Sequence, residues 1–133
     1  MTIKLYCFGE SGHSYKAALA LELSGLEWEP VKVDFFAGET RSDEYRQNVN
    51  EMGEAPVLVD GDLSLTQSSV IQDYISEKTG KFAGRDNDER REILRWQFWD
   101  NHKLSSFAGM TRFGMSRRGV ASARLSDVLL LAL

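Results

Sequence analysis

Apolar and polar positions alternate at the start of the chain. Ile3, Leu5 and Cys7 interleave with Lys4, Tyr6 and Phe8, and because most of these are bulky or apolar they predict a strand buried on both faces. From Ser14 the text becomes SYKAALALELSG, rich in helix formers and closed by Gly25 where a left-handed C-cap would sit. WEPVKVDFF (28–36) is β-branched and alternating, with Pro30 near its start. AGETRSDEYRQNVNEM (37–52) is polar and predicts a loop and a short surface helix. In APVLVDGDLSLTQ two alternating runs meet at Asp60-Gly61, a hairpin signal. QSSVIQDYISEKTG then offers Ser68 and Ser69 as N-caps, Gln72 three residues after Ser69 as in a capping box, and Gly80 as the stop.

The order β-α-β-α-β-β-α over residues 1–80 is that of an α/β thioredoxin-like domain. KFAGRDN (81–87) is short and charged and predicts a linker. The region 88–133 opens with Asp88 as an acidic cap and predicts one long helix, whose Ile93, Leu94, Trp96, Phe98, Trp99, Leu104, Phe107 and Phe113 occupy more than one stripe and call for neighbours on several sides. After Met115 the pattern gives way to a basic turn and a Leu-rich end, so the expectation is an incomplete all-α region with an atypical tail.

Sixteen basic residues against twenty acidic ones, net charge −4, without a dense Lys/Arg run, exclude a nucleic-acid backbone as the expected partner. Cys7 is the single cysteine; no internal disulfide can form, and the chain reads as cytoplasmic. The first twenty residues show no signal-peptide pattern, and VLLLAL, the longest apolar run, is far short of the roughly 18 residues a membrane span needs.

The stretch YCFGESGHSYK (6–16) concentrates the candidate chemistry. Gly9-Glu10-Ser11-Gly12 lacks the glycine at 13 that a nucleophile elbow requires. A dinucleotide or phosphate loop lacks its third glycine and its lysine. A metal site would have Cys7, His13 and His102 without ligand spacing, so no metal is expected. Cys7-Phe-Gly-Glu10 is not a dithiol motif, and Cys7 reads as a small buried hydrophobe. What remains is a site for an external thiol. Ser11 stands where a helix N-terminus favours an anion such as a thiolate; on local grounds Ser11 or Ser14 also reads as a plain cap.

EMGEAPVLVDGDLSLTQSSVIQDYI (51–75) together with KLYCFGESGHSYKAALAL resembles the amino-terminal domain of glutathione transferases, in particular bacterial ones with a serine-type site, theta-like or phi-like; the likeness runs from about residue 3 to about residue 113. The resemblance implies that Pro56 is cis and that Ala55 offers its backbone N–H and C=O to the cysteinyl part of glutathione. It implies that Gln67 and Ser68 hold the γ-glutamyl carboxylate, that Thr40 and Arg41 lie near the glycyl carboxylate, and that Glu54 stands where relatives often carry glutamine. It also implies that Ser11 activates the thiol, with Ser14 as second choice because some relatives carry several candidates in this loop. The chain departs from relatives at Asn50-Glu51, where they read Asn-Pro, and at Ala55, usually β-branched.

The expected function is therefore a glutathione transferase-like protein that stabilises the glutathione thiolate for attack on a small electrophile, with glutathione as substrate and no cofactor; a homodimer is among the assemblies the resemblance allows. The alternative is a glutathione-binding or interaction module with little or no turnover, its Trp96, Phe98 and Trp99 surface recruiting another chain, because the helices that line the electrophile site in relatives are mostly missing. A third reading, a monothiol reductase, would use Cys7.

Overall fold

The opening alternation becomes strand β1 (Ile3–Cys7) in a computed structural model that describes residues 2–117. Of this strand Ile3 and Leu5 are buried, Lys4 is exposed and pairs with Glu29 at 3.6 Å, and Tyr6 and Cys7 are half-buried. The strand is thus buried mainly on one face, contrary to the two-faced expectation. The reason is that both long helices of the domain pack on the face bearing Ile3 and Leu5. They are α1 (Gly12–Ser24) and α3 (Ser68–Thr79), and Ala17, Leu21, Ile71 and Ile75 from them close a core with Leu58. Each fully buried Leu or Ile there contributes roughly 1.5 to 3 kcal/mol relative to exposure.

Between the helices lie β2 (Trp28–Lys32), a 3-10 turn (Glu39–Arg41), α2 (Asp43–Asn48), β3 (Val57–Asp60) and β4 (Leu63–Thr66). The sheet order is β2-β1-β3-β4, with β1 and β2 parallel and the other pairs antiparallel. This is the thioredoxin-like arrangement of βαβ and ββα units. Pro30 is tolerated because β2 is an edge strand. The strand ends at Lys32, short of Phe36. Val33 N–H still donates to the Cys7 carbonyl at 2.9 Å, but Phe35 then stacks on Phe8 with ring centroids 4.5 Å apart, and the backbone turns at Gly38. In the hairpin Asp60 pairs with Leu63, and Gly61 and Asp62 form the two-residue loop.

Two helix starts differ from the sequence reading. Helix α1 begins at Gly12 because Ser11 Oγ accepts the Ser14 N–H at 3.1 Å, so Ser14 lies within the helix. Helix α3 begins at Ser68 after Gln67, which makes no side-chain cap; Ser68 and Ser69 are inside the helix, and the Ser68 hydroxyl is engaged by His13 at 3.1 Å. Gly25 and Gly80 close their helices in the left-handed conformation.

The chain divides between Ala83 and Gly84 into two units. In the second, Asp86 rather than Asp88 caps α4 (Asn87–Trp99), accepting from the N–H groups of Asp88 and Glu89 at 2.9 Å. The single long helix expected there is interrupted. A π-helical stretch, Asp100–Ser105, separates α4 from α5 (Ser106–Arg117). Within it the Ser105 hydroxyl donates to the Asp100 carboxylate and the Ser106 hydroxyl to the Asn101 carbonyl. Trp96, Phe98 and Trp99 are exposed, and Arg95 lies over the Trp96 ring. The basic turn and Leu-rich end after Arg117 fall outside the described residues. Among the described residues no helix is long and apolar enough to cross a membrane.

Candidate functional site

Strand register decides which loops meet. Tyr6, near the end of β1, pairs with Val57 at the start of β3, and Val57 pairs with Thr66 at the end of β4. One end of the sheet therefore gathers the loop leaving β1 (residues 8–11), the segment entering β3 (Ala55 and Pro56) and the turn into α3 (Gln67 and Ser68). Stretches about fifty residues apart in sequence become neighbours there.

In the first loop the Ser11 N–H donates to the Phe8 carbonyl at 3.2 Å, forming the turn that presents Ser11 ahead of α1. Ser11 is half-exposed, whereas Ser14 is buried and its hydroxyl, enclosed in the fold, has no hydrogen-bond partner among the described residues. Of the two candidate serines, only Ser11 is open to an incoming group. Beside it, Phe8 and Phe35 stack and Phe36 meets Phe8 edge-on at 6.3 Å, an apolar cluster at the foot of the loop. Cys7 is half-buried against the core, and burial pushes its thiol pKa up. A thiol so placed is less ionised near neutral pH and a poorer nucleophile.

The second segment is held from behind. The Ala55–Pro56 peptide is cis, Pro56 is buried and Ala55 half-exposed. The preceding carbonyl, that of Glu54, accepts from the Tyr45 hydroxyl and from Asn50 Nδ2, each at 2.9 Å, and Asn50 Oδ1 accepts the Met52 N–H at 3.0 Å. Tyr45 is itself buried; burial first, then Glu39 and Tyr6, push its phenol up to about 12, which keeps it a donor. Asn50, noted in the sequence only because no proline follows it, is thus part of the clamp on this segment.

The third segment contains the strained residue of the site. Gln67 stands at φ 70°, ψ 116°, a conformation that costs a non-glycine residue on the order of 1–3 kcal/mol. Its Nε2 donates to Glu54 Oε2 at 3.1 Å and also approaches Met52 Sδ at 3.8 Å, while the next residue, Ser68, is buried and hydrogen-bonded to His13 Nδ1.

Thr40 and Arg41 sit on the 3-10 turn behind this cluster. Thr40 is buried, its hydroxyl without a partner among the described residues, and it meets the site through its backbone. A Cβ on Gly53 would lie 2.7 Å from the Thr40 carbonyl oxygen and 3.1 Å from Arg46 Nη2. Arg41 is exposed and folds its guanidinium over Gly38. Arg46, which the sequence reading did not single out, is the cation beside Gly53; a basic residue on the face of α2 nearest the 50–54 loop was the available signal. His13 and Tyr45 were also missed as site residues, because their partners are distant in sequence or are backbone atoms.

A thioredoxin-like domain with a cis proline entering β3, a serine ahead of α1 and a strained Gln-Ser step opening α3 is the class these features define. Residues 1–77 match the family described as glutathione S-transferase, N-terminal domain, and the chain belongs to that family. It is similar to glutathione S-transferase F14 of Arabidopsis thaliana, 33% identical over 110 residues that cover 80% of this chain and 43% of the relative. It is also similar to the disulfide-bond oxidoreductase YfcG of Escherichia coli (strain K12), 30% identical over 145 residues covering 96% and 66%. Among solved structures, a glutathione transferase from Pseudomonas putida with glutathione disulfide bound shares the fold with a TM-score of 0.75 at 24% identity, over 86% of this chain and 50% of that one. The chain spans less than half the length of most curated relatives it matches.

Proposed function

We propose that the protein binds glutathione at this end of the sheet and stabilises its thiolate with Ser11 for conjugation to a small electrophile, as a serine-type member of theta-like or phi-like, bacterial character. The observation that carries this reading is the register, which sets the Ser11 loop, the half-exposed Ala55 backbone and the Gln67-Ser68 step side by side. Ala55 would pair its backbone with the cysteinyl unit, and Gln67 and Ser68 at the N-terminus of α3 would receive the γ-glutamyl carboxylate. Arg41 or Arg46 would meet the glycyl carboxylate, with Thr40 supporting the turn from behind. Phe8, Phe35 and Phe36 would give the electrophile an apolar wall.

Capping by Ser11 and thiolate stabilisation are compatible. Accepting the Ser14 N–H occupies a lone pair of Oγ, and the hydroxyl proton remains to be donated to sulfur. A free thiol titrates at about 8.5, so lowering its pKa by one unit multiplies the thiolate present near neutral pH by almost ten. The half-buried Cys7, its thiol pKa raised, does not suit the role of reacting thiol. A cytoplasmic location follows from the same reading, since the substrate and the lone free cysteine both belong to a reducing compartment.

The test is conjugation of glutathione to 1-chloro-2,4-dinitrobenzene by wild type, Ser11→Ala and Ser11→Gly. Alanine at the N-cap costs about 1 kcal/mol of stability and glycine only a few tenths, so a rate loss shared by both variants, with Ser11→Gly still folded, belongs to the missing hydroxyl. Rates equal to wild type would remove Ser11 from the mechanism.

A further inference from the structure

His13 is half-buried on the first turn of α1, and its Nδ1 lies 3.1 Å from the hydroxyl of Ser68, fifty-five residues away on the first turn of α3. This bond joins the starts of the two helices on which the glutathione reading depends. The titratable groups on the elements packed around it are Tyr15, Lys16 and Glu22 on α1 with Glu10 just ahead of it, Lys4, Tyr6 and Cys7 on β1, Glu54 on the segment entering β3, and Asp73, Tyr74, Glu77 and Lys78 on α3; β4 carries none.

The serine hydroxyl has one proton, and the imidazole decides where it goes. In the neutral ring that carries its proton on Nε2, Nδ1 accepts the Ser68 O–H, and Ser68 cannot donate to a ligand. When the ring is protonated, Nδ1–H donates to Ser68 Oγ, and the Ser68 proton turns outward. On the other side of the Gln67-Ser68 step the Glu54 carboxylate is held by Gln67 at 3.1 Å. The γ-glutamyl end of glutathione carries both an ammonium and a carboxylate. A carboxylate at Glu54 and an imidazolium at His13, flanking one dipeptide, match those two charges in sign.

Building on the glutathione reading, we propose that His13 is a positioning residue for the γ-glutamyl group: its protonated ring directs the Ser68 hydroxyl toward the γ-glutamyl carboxylate and supplies the positive charge opposite Glu54. Affinity for the tripeptide then rises as pH falls through the range in which imidazoles titrate.

The probe is S-methylglutathione, whose sulfur has no proton to lose, titrated calorimetrically into the full chain between about pH 5.5 and about pH 8, a range spanning imidazole titration. Wild type should bind roughly three- to tenfold tighter at the acid end, a tenfold gain being the effect of about one unit of pKa coupling. His13→Ala and His13→Gln should hold a flat profile near the weak, alkaline limit of wild type; the comparison cancels every other group that titrates in the range. A wild-type profile matched in slope by His13→Gln, or flat in wild type while binding persists, overturns the role of His13 and leaves the glutathione site standing. No binding by wild type at any pH overturns the glutathione reading itself and this inference with it. A merely structural His13 would lower affinity equally at every pH, which also counts against the proposal.

Discussion

Gly53 and Gly61 allow a close-contact effect to be separated from a backbone effect. Both are left-handed, at φ 66° and φ 61°. An added Cβ at Gly61 meets nothing within 4 Å, whereas at Gly53 it would lie 2.7 Å from the Thr40 carbonyl oxygen, a backbone atom that cannot rotate away. Alanine in this conformation costs about 1 to 2 kcal/mol. Gly61→Ala should therefore lose about that much. Gly53→Ala should lose the same amount and a further 1 to 3 kcal/mol or so, the usual cost of forcing a packed backbone apart. Urea unfolding followed by far-ultraviolet circular dichroism measures both, the difference in midpoint multiplied by a common slope giving the difference in stability. Equal losses would show that the approach of the 50–54 loop to the 3-10 turn is not tight in solution. Because Gly53 immediately precedes Glu54 and Ala55, the proposed glutathione site predicts weaker binding of the tripeptide by its alanine variant and none of that loss for Gly61→Ala, at the far end of the hairpin.

Tyr45→Phe removes one of two donors to the Glu54 carbonyl and should cost about 1 kcal/mol in the same unfolding assay; in an alkaline spectrophotometric titration it should also delete a tyrosine step at about 12. Since that raised pKa favours the neutral phenol in the folded state, the associated stability is intact below the ordinary tyrosine value of about 10 and is lost as pH rises toward 12. The Asp60 carboxyl is held below its ordinary range by Lys78 and then by the Tyr74 hydroxyl. Its contribution is present above the unfolded value of about 3.9 and lost as pH falls through the folded one, so the urea midpoints of wild type and Asp60→Asn should differ at neutral pH and converge in acid; a constant gap would refute the pairing. The difference should be modest, because Lys78 is partly exposed. Cys7, its thiol pKa raised by burial, should be alkylated by iodoacetamide far more slowly in the native protein than in urea at the same pH, and equal rates would contradict its placement.

Local signals in the sequence carried the helices, the strands and the hairpin, because each is specified within a few residues. SYKAALALELSG announces a helix and its stop, and Asp60-Gly61 announces a turn, with no knowledge of the rest of the chain. Where the reading slipped, a distant partner had changed the outcome. Ser68 looks like a cap until His13 engages its hydroxyl from another helix, and the strand through Phe36 is cut short when Phe35 stacks on Phe8. The break in the second unit's helix was hidden for a different reason. Asp100, Asn101, Ser105 and Ser106 are unremarkable helix-surface residues one by one, and only the backbone of Asp100–Ser105 reveals the π register. The candidate site was legible as a set of types, a serine before one helix and Gln-Ser before another, but the supports of Ala55 were not. A buried tyrosine and an asparagine donating to the same carbonyl leave no local pattern in sequence.

Those supports bear on how the site could work. The bonds Tyr45–Glu54, Asn50–Glu54, Glu54–Gln67 and Ser68–His13 run across the mouth of the sheet from α2 to α1, and they tie the segment entering β3 to the start of α3. Ordering a flexible loop on binding costs about 0.5 to 1.5 kcal/mol for each side chain immobilised. Here that ordering, including the strained Gln67, is supplied by folding. A tripeptide with two carboxylates and an ammonium would then meet donors already in place, and the binding energy of its two ends could be used to hold the sulfur against Ser11. The domain's stability and its affinity are thus linked through the same hydrogen bonds, so that a change at Tyr45 or Asn50, which no bound tripeptide would touch, weakens both together.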